Sequence, residues 1–243
     1  MKIHLVSFAD GAFKDRGSEF AEEAAATNFF DSITVFKLED LSNDFLEPHK
    51  DFMMTNRRGF GYWIWKPQVV LQVAERSAPE DIIVYMDAGF ELNRNAALRF
   101  KDYIDLAMGH SSKMLSFSNT HTEYIWSKRD LASRLEIDFE SPLLKTTQLA
   151  AGFFLMKNTQ ENLELIKTWK NIAVEGNYHF SDDSPSKVNE HSLFREHRHD
   201  ASIFSLLRKL RGTEITHYEV QTYPHFNTLK SQLPAWASRK GRK

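Results

Sequence analysis

One acidic residue, in the segment VYMDAG, stands directly after an apolar run. Asp87 follows Val84, Tyr85 and Met86, and Gly89 stands two residues further on. In open α/β sheets, ligands bind beyond the carboxyl ends of the strands, which is where such an aspartate would lie. Hard divalent cations take oxygen ligands, so Asp87 could hold one against a diphosphate. An aspartate that makes the turn ahead of Gly89 would explain the same spacing.

A second polar cluster, HRHD, directly precedes a helical pattern. His197, Arg198 and His199 could contact a sugar or a phosphate. Asp200 stands at the expected N-cap of the helix, and a cap at that place also faces the ligand edge of the sheet. The His-x-His pair has no third ligand nearby in the sequence, which argues against a metal site there.

Two phosphate-binding motifs, GxGxxG and GxxxxGK[ST], are absent from the sequence. Their absence argues against dinucleotide dehydrogenases and P-loop kinases. The first strand is followed by SFADGAF, in which Asp10 and Gly11 indicate a turn. Because Asp10 lies at the end of that strand, it is also a candidate contact for a nucleotide.

The segments that must position these residues alternate between two patterns. Short apolar or β-branched runs predict strands, and amphipathic segments rich in helix formers predict helices. Strands are expected at residues 2–9, 32–38, 80–89, 113–119, 148–158 and 213–220, and helices at 17–30, 65–77, 95–108, 128–136, 159–176 and 201–211. The polar, histidine-rich stretch 177–200 has no period and predicts a long loop. The alternation predicts an α/β fold with a mostly parallel central sheet flanked by helices, in one domain over residues 1–236.

The composition restricts the class of protein further. The net charge of -2 argues against a general nucleic-acid binder, and the lack of cysteine excludes disulfides and thiolate metal sites. With no signal peptide or membrane-spanning run in view, we expect a soluble cytoplasmic protein. Residues 237–243 are predicted to form a basic flexible tail, and a solvated end is the first interpretation of it. The alternative is weak attraction to an anionic membrane, worth about 1 kcal/mol per basic residue, which would give peripheral association with the inner face.

Taken in order, these segments resemble GT-A-fold glycosyltransferases, which use nucleotide-diphosphate sugars. IIVYMDAG is similar to the strand that ends in the metal-binding DxD motif. QLAAGFFLMKN, HDASIFSLL and HFNTLKSQLPAW resemble three further motifs of the group of glycogenin and the lipooligosaccharide galactosyltransferases. RGFGYWIWKP, followed by DAG and HRHD, also resembles a set of bacterial and viral proteins described as glycosyltransferases. The resemblance implies a single GT-A, Rossmann-like domain.

The resemblance also implies roles in binding the donor. Asp87 would bind Mn²⁺ or Mg²⁺ bridging the diphosphate, with His225 completing the metal shell. Lys230 would bind phosphate, although it falls one residue early. Gly89 replaces the second acid of DxD, and a single carboxylate would hold the metal ion poorly. Asp200 matches the aspartate at the sugar end of the donor site.

The aromatic segment RGFGYWIWKP would enter beside the nucleotide in this layout. Arg58 and Lys66 are then candidates to neutralise the diphosphate. Tyr62 and Trp65 are candidates to stack on the base, and Trp63 to wall the acceptor sugar. At least two of the four rings in the segment are expected to pack beneath the sheet instead.

The acceptor is expected to be an oligosaccharide or glycan, contacted by Trp63, Gln148 and Arg198. An inverting enzyme also needs a general base at the acceptor hydroxyl, for which Asp200 or His199 is the candidate. The resembled group retains configuration and would need no such base. The residues leave both outcomes open.

Three functions remain open from the sequence. The first is a glycosyltransferase that uses a nucleotide sugar, most readily a UDP-sugar, in the synthesis of surface polysaccharide or glycan. The second is a non-catalytic carbohydrate-binding protein on the same scaffold, which Gly89 motivates. The third is a nucleotidyltransferase, but SFADGAF lacks the glycine-rich basic loop usual after the first strand of those enzymes.

Overall fold

The computed structural model describes residues 1–10, 14–217, 219, 231–238 and 240. Its strands are β1 (Ile3–Phe8), β2 (Ser32–Phe36), β3 (Ile82–Met86), β4 (Glu91–Leu92), β5 (Met114–Thr122), β6 (Thr147–Lys157), β7 (Glu214–Thr216) and β8 (Ala235–Trp236). Its helices are α1 (Lys14–Thr27), α2 (Asn43–Thr55), α3 (Gly59–Tyr62), α4 (Trp65–Ala74), α5 (Ala97–Gly109), α6 (Glu123–Trp126), α7 (Arg129–Arg134), α8 (Gln160–Tyr178) and α9 (Asp200–Arg211).

Six strands form the central sheet, in the order β2-β1-β3-β6-β5-β7. The pairs β1/β2, β1/β3 and β5/β7 are parallel, whereas β6 runs antiparallel to both β3 and β5. Five strands therefore point the same way, which confirms a mostly parallel sheet. The carboxyl ends of β1, β3 and β5 consequently meet at one edge, together with the start of β6.

Helices cover both faces of this sheet. One face packs against α2, α4, α8 and α9, and its core includes Val69, Tyr85, Phe154, Trp169 and Phe204. The other packs against α1 and α5, around residues that include Phe20, Tyr103 and Phe153. A strand that is buried on both faces has a continuous apolar sequence rather than an alternating one, which explains the β3 sequence IIVYM.

Some local details differ from the sequence prediction. Helix α2 was not predicted. It contains Pro48, and a proline inside a helix lacks the N–H for a backbone bond. Gly176 was predicted to close its helix, and the backbone of α8 indeed leaves helical geometry at Glu175, with Gly176 at φ +61°. The last strand of the sheet is shorter than expected.

Described residues of the C-terminal segment contact the rest of the domain. Ala237 packs against the α1/α5 side of the core. The backbone N–H of Lys240 donates to the Gly89 carbonyl at 3.1 Å, and its ammonium pairs with Glu23 at 2.7 Å. Membrane attachment by this segment stays a prediction. In the part of the chain that the structure describes, no helix is both long and apolar enough to cross a bilayer.

Candidate functional site

Three charged side chains meet at the carboxyl edge of the sheet, in what we call the buried charge cluster: Lys66, Asp87 and Asp200. The Lys66 ammonium lies 3.2 Å from Asp87 Oδ1 and 2.7 Å from Asp200 Oδ2. Each residue comes from a different element, namely the first turn of α4, the end of β3 and the start of α9. Residue Lys66 is only 2% exposed, so its charge has little access to water.

The orientation of Asp87 is fixed by its neighbours. The Tyr85 hydroxyl donates to Asp87 Oδ1 at 2.7 Å, and the Asp87 N–H donates to the Gly152 carbonyl at 2.8 Å. A Cβ atom at position 152 would lie 2.6 Å from Asp87 Oδ2, so glycine there leaves room for the carboxylate. Tyr85 was missed from the sequence, although side chains two apart on a strand share a face.

Burial and charge act in opposite directions in this cluster. Burial raises the pKa of Asp200 to about 6, despite the opposing attraction of Lys66. Burial works against the Lys66 charge, yet the charges of Asp200 and Asp87 outweigh it and raise the pKa of Lys66. The lysine therefore remains the fixed cation of the cluster, and Asp200 is the group that titrates near neutrality.

The chain enters this cluster through a left-handed turn, residues 59–63. Five consecutive residues have positive φ: Gly59, Phe60, Gly61, Tyr62 and Trp63, at 58°, 53°, 83°, 54° and 61°. Left-handed backbone is costly for residues with a Cβ, and it usually occurs at single positions. Here the N–H groups of Tyr62 and Trp63 donate to the carbonyls four residues earlier, at 2.8 and 3.1 Å.

The two glycines of the turn are also required by close packing. A Cβ at Gly59 would lie 2.2 Å from the Trp63 indole, and one at Gly61 would lie 2.7 Å from Met53 Cγ. The turn therefore tolerates no side chain at either position without a shift of its neighbours.

The rings of the aromatic segment divide into two groups. Phe60 and Trp65 pack with Phe8, at centroid distances of 6.1 and 4.0 Å. Tyr62 and Trp63 instead cover the His199 imidazole, at 4.9 and 5.6 Å. Trp65 thus belongs to the core, and Phe60 and Trp63 pack against the core while remaining partly exposed, so at least two of the four rings pack beneath the sheet, as expected.

His199 lies beneath these rings and is only 1% exposed. Its Nδ1 lies 2.6 Å from the Ser181 carbonyl. A carbonyl only accepts, so Nδ1 carries the proton and Nε2 holds a lone pair without a hydrogen-bond partner among the described residues. Burial lowers the pKa of His199 to about 4, which keeps the ring neutral. Its φ of 54° makes it a strained position.

An exposed charge cluster lies on the solvent side of His199: Arg58, Asp183, Glu196 and Arg198. Arg58 contacts Asp183 at 3.3 Å and Glu196 at 3.2 Å. Glu196 also contacts Arg198 at 3.0 Å. These pairs join the left-handed turn to the histidine-rich loop, residues 179–199.

Two buried residues, Lys128 and Asp130, anchor this loop. The Lys128 ammonium donates to the His179 carbonyl at 2.8 Å and to Asp182 at 3.2 Å. Asp130 contacts His179 Nε2 at 2.7 Å and accepts the Lys187 N–H at 2.7 Å. A charged helix start is usually solvated, so only the tertiary structure could show that these two residues hold the loop.

The other predicted site residues are placed as follows. Trp65 is 5% exposed and donates from Nε1 to the Gly59 carbonyl at 3.0 Å, which is the environment of a core residue rather than of a base-stacking ring. Gln148 is 2% exposed and donates to Ser202 at 3.2 Å inside the domain, away from a sugar-contacting surface. Asp10 accepts the Leu38 N–H at 2.8 Å. His225 and Lys230 lie outside the described residues.

The donor atoms of the site can be compared with the needs of Mn²⁺ or Mg²⁺. No three His, Asp or Glu side chains converge as a metal-binding group among the described residues. Asp87 nevertheless suits a single-carboxylate site. Its Oδ1 is held by Tyr85 and Lys66, its Oδ2 accepts no hydrogen bond from the described residues, and its side chain is 37% exposed. Mg²⁺ is commonly bound by one or two carboxylates together with substrate phosphates, so this residue fits the ion.

Comparison with known proteins supports the architecture. No protein-family model and no curated protein sequence matches the chain. A glycosyltransferase involved in the glycosylation of the major capsid of PBCV-1 superposes with a TM-score of 0.54 at 11% identity, over 100% of this chain and 96% of that one. Mouse xyloside xylosyltransferase 1 gives 0.49 at 8%, covering 100% and 99%. The galactosyltransferase LgtC gives 0.47 at 13%, covering 96% and 86%.

The first of these similarities shows the fold and extends over nearly the whole of both chains. Together with the strand order and the single reversed strand β6, it confirms the architecture expected from the sequence motifs. The chain has the GT-A fold of glycosyltransferases.

Proposed function

We propose that this protein is a glycosyltransferase that moves a sugar from a nucleotide-diphosphate sugar, with a UDP-sugar as the first candidate, to a glycan acceptor. Surface polysaccharide or glycan synthesis is the proposed setting. The observation that carries the proposal is the buried charge cluster at the carboxyl edge of a GT-A sheet. That edge is where ligands bind in open α/β folds.

The donor diphosphate lies against Asp87 in this proposal. Asp87 Oδ2 would hold Mn²⁺ or Mg²⁺, which supplies Lewis-acid stabilisation of the negative charge on the departing nucleotide. Tyr85 and Lys66 keep Asp87 Oδ1 fixed, so the carboxylate reaches the ligand already oriented. Arg58, at the exposed end of the left-handed turn, is the proposed contact for the phosphates.

The transferred sugar lies toward Asp200 and His199. Positive charge develops on the sugar ring as the nucleotide leaves, and a nearby carboxylate stabilises it. Asp200 is held by Lys66 at the start of α9, so this negative charge has a fixed position. His199 holds a neutral lone pair under Tyr62 and Trp63, which suits it to accept a hydrogen bond from a hydroxyl once those rings move aside.

Thermal unfolding of the purified protein with UDP, GDP, CDP and their sugars, with and without Mn²⁺, tests the proposal. A ligand at a hundred times its Kd adds about 2.7 kcal/mol of stability. For a chain of this length that raises Tm by several degrees. We expect one nucleotide to do so, more strongly with Mn²⁺, and release of free nucleoside diphosphate from its sugar.

Asp87→Ala should abolish the part of the shift that depends on Mn²⁺. The matched control is Asp105→Ala, which removes an exposed carboxylate paired with Lys101 on α5 and should leave the shift unchanged. If no nucleotide diphosphate or nucleotide sugar stabilises the wild-type protein, the proposal is wrong.

A non-catalytic carbohydrate-binding protein is the second candidate. Gly89 favours it, because glycine stands at the position of the second DxD acid and its carbonyl accepts the Lys240 N–H. Binding of a glycan without release of nucleoside diphosphate would distinguish this function from the first.

A further inference from the structure

Two arginines and an indole form a fixed cationic surface, which we call the Arg–Trp platform: Trp126, Arg195 and Arg198. The Arg198 guanidinium carbon lies 3.8 Å from the centroid of the Trp126 ring. The backbone is fixed as well, because the N–H of Arg198 donates to the Trp126 carbonyl at 2.9 Å and that of Arg195 to the Ile125 carbonyl at 3.0 Å. The plane of the Arg198 guanidinium and the backbone positions of both arginines are therefore fixed before a ligand arrives.

The platform borders the buried charge cluster. Trp126 ends α6, directly after β5, whose carboxyl end lies at the same edge of the sheet as Asp87. The Ser202 hydroxyl donates to the Trp126 carbonyl at 2.7 Å, and Ser202 lies in the same first turn of α9 as Asp200. A molecule on the platform would thus lie beside the proposed position of the transferred sugar.

The charges on this side of the site are unbalanced. Arg58 and Arg198 pair with the carboxylates of Asp183 and Glu196, two charges of each sign, and Arg195 adds one further positive charge. In the part of the chain that the structure describes, Arg195 is exposed and forms no salt bridge.

Two neighbouring groups are consistent with this positive field. The His121 ring lies 4.8 Å from the Trp126 ring. Burial, followed by the positive charges of Arg195 and Arg198, lowers the pKa of His121, so the positive field on this side disfavours a further cation. The Trp126 residue is 7% exposed, and its indole N–H has no hydrogen-bond partner among the described residues. That N–H is itself buried, so the donors that the platform presents to a ligand are the guanidinium groups of Arg195 and Arg198.

We propose that the Arg–Trp platform binds a negatively charged group of the acceptor, either the carboxylate of an acidic sugar or a phosphate ester. Guanidinium groups match both anions through paired hydrogen bonds, and stacking on an indole fixes the plane of Arg198. This inference rests on the proposed transfer function, because it assigns the acceptor of that same site.

Two pairs of charged and neutral probes test the proposal, one pair for a carboxylate and one for a phosphate ester. The carboxylate pair is the first arm of the experiment. The probes are tetragalacturonate and its methyl ester, which share a shape and differ in charge, measured by calorimetry on the full-length protein with UDP present. Glucose 6-phosphate and glucose form the phosphate arm. We expect at least one anionic probe to bind tenfold or more tightly than its neutral partner, with the preference decreasing at high salt.

The double variant Arg195→Gln/Arg198→Gln should lose that preference while UDP binding is unchanged. The control Arg134→Gln/Lys167→Gln removes the same charge from exposed pairs on α7 and α8 and should keep it. Equal binding of charged and neutral probes in both arms overturns the inference. So does a fall in UDP affinity in the double variant, which would place the donor diphosphate on these arginines. Failure of UDP to bind wild type would instead count against the proposed transfer function.

Discussion

The buried and exposed charge clusters lie at the same edge of the sheet, but they hold their charges differently. In the first, one lysine holds two carboxylates: Lys66, at 2% exposure, and Asp200 are buried, and Asp87 reaches the solvent with 37% of its side chain exposed. In the second, Arg58 and Arg198 share Glu196 at the surface, with side chains 38% and 41% exposed. Buried pairs are costly to break, whereas exposed pairs are worth little to stability. The first cluster therefore defines the geometry of the site, and the second is free to exchange its partners for a ligand.

The largest expected effect comes from removing the shared cation. Lys66→Met leaves two carboxylates near each other without a counter-charge, and breaking such a buried pair costs about 3 to 5 kcal/mol. Urea denaturation should show this loss, and adding Asp200→Asn should restore at least half of it. Lys101→Met, at an exposed pair, is the control and should change stability by less than about 0.5 kcal/mol. A Lys66→Met protein as stable as wild type would show that the cluster is not a stability element.

The left-handed turn joins the two clusters, with Arg58 at one end and Lys66 just beyond the other. Gly61→Ala places a Cβ 2.7 Å from Met53 Cγ at a φ of +83°. Strain and crowding together should cost about 2 to 4 kcal/mol. Chemical denaturation measures it, with Gly109→Ala as the matched control, because a Cβ there meets nothing within 4 Å. Equal effects of the two substitutions would contradict the tight geometry of the turn.

The pH dependence of stability should distinguish the buried charge cluster from the exposed one, because Asp200 titrates in the buried cluster. Burial raises the pKa of Asp200 to about 6, above the value of about 3.9 in an unfolded chain. Its contribution to stability is therefore complete below about pH 4 and is lost as the pH rises through about 6. From pH 4 to pH 7, wild type should lose about 2 to 3 kcal/mol relative to Asp200→Asn. Parallel pH profiles of the two proteins would argue against a buried, titrating Asp200.

The smallest effect on stability is expected at the exposed cluster. Arg58→Gln breaks contacts with Asp183 and Glu196 at the surface, which should cost less than about 1 kcal/mol. Nucleotide affinity should nevertheless fall about tenfold, if the guanidinium contacts the diphosphate as proposed. A variant with unchanged nucleotide affinity would remove Arg58 from the donor site and leave it a purely structural role.

The strands and the position of Asp87 could be predicted because apolar runs and strand-end acids are local patterns. The direction of β6 could not, since the run of apolar residues in LAAGFFLM is the same for a parallel or an antiparallel central strand. Lys66 was predicted to contact the diphosphate, whereas in the structure it contacts Asp87 and Asp200. Its bridge to Asp200 joins positions 134 residues apart, and no periodicity in the sequence reports such a pair.

The left-handed turn is the part of the site least accessible from sequence. Two glycines in RGFGYW allow positive φ, but Phe60, Tyr62 and Trp63 would each be assigned right-handed or extended backbone on propensity alone. Tyr85 was within reach of sequence analysis, because it shares a strand face with Asp87. Helix α2, which has Pro48 inside it, was not predicted.

The left-handed turn depends on the parts of the chain that pack against it. Each of its non-glycine residues has a backbone conformation that costs about 1 to 2 kcal/mol, so the segment has no stability of its own. Met53, Phe8 and Trp65 provide the surfaces that hold it in place. A substitution that loosens the core beneath the turn would therefore displace the rings over His199 and disturb the site without touching it directly.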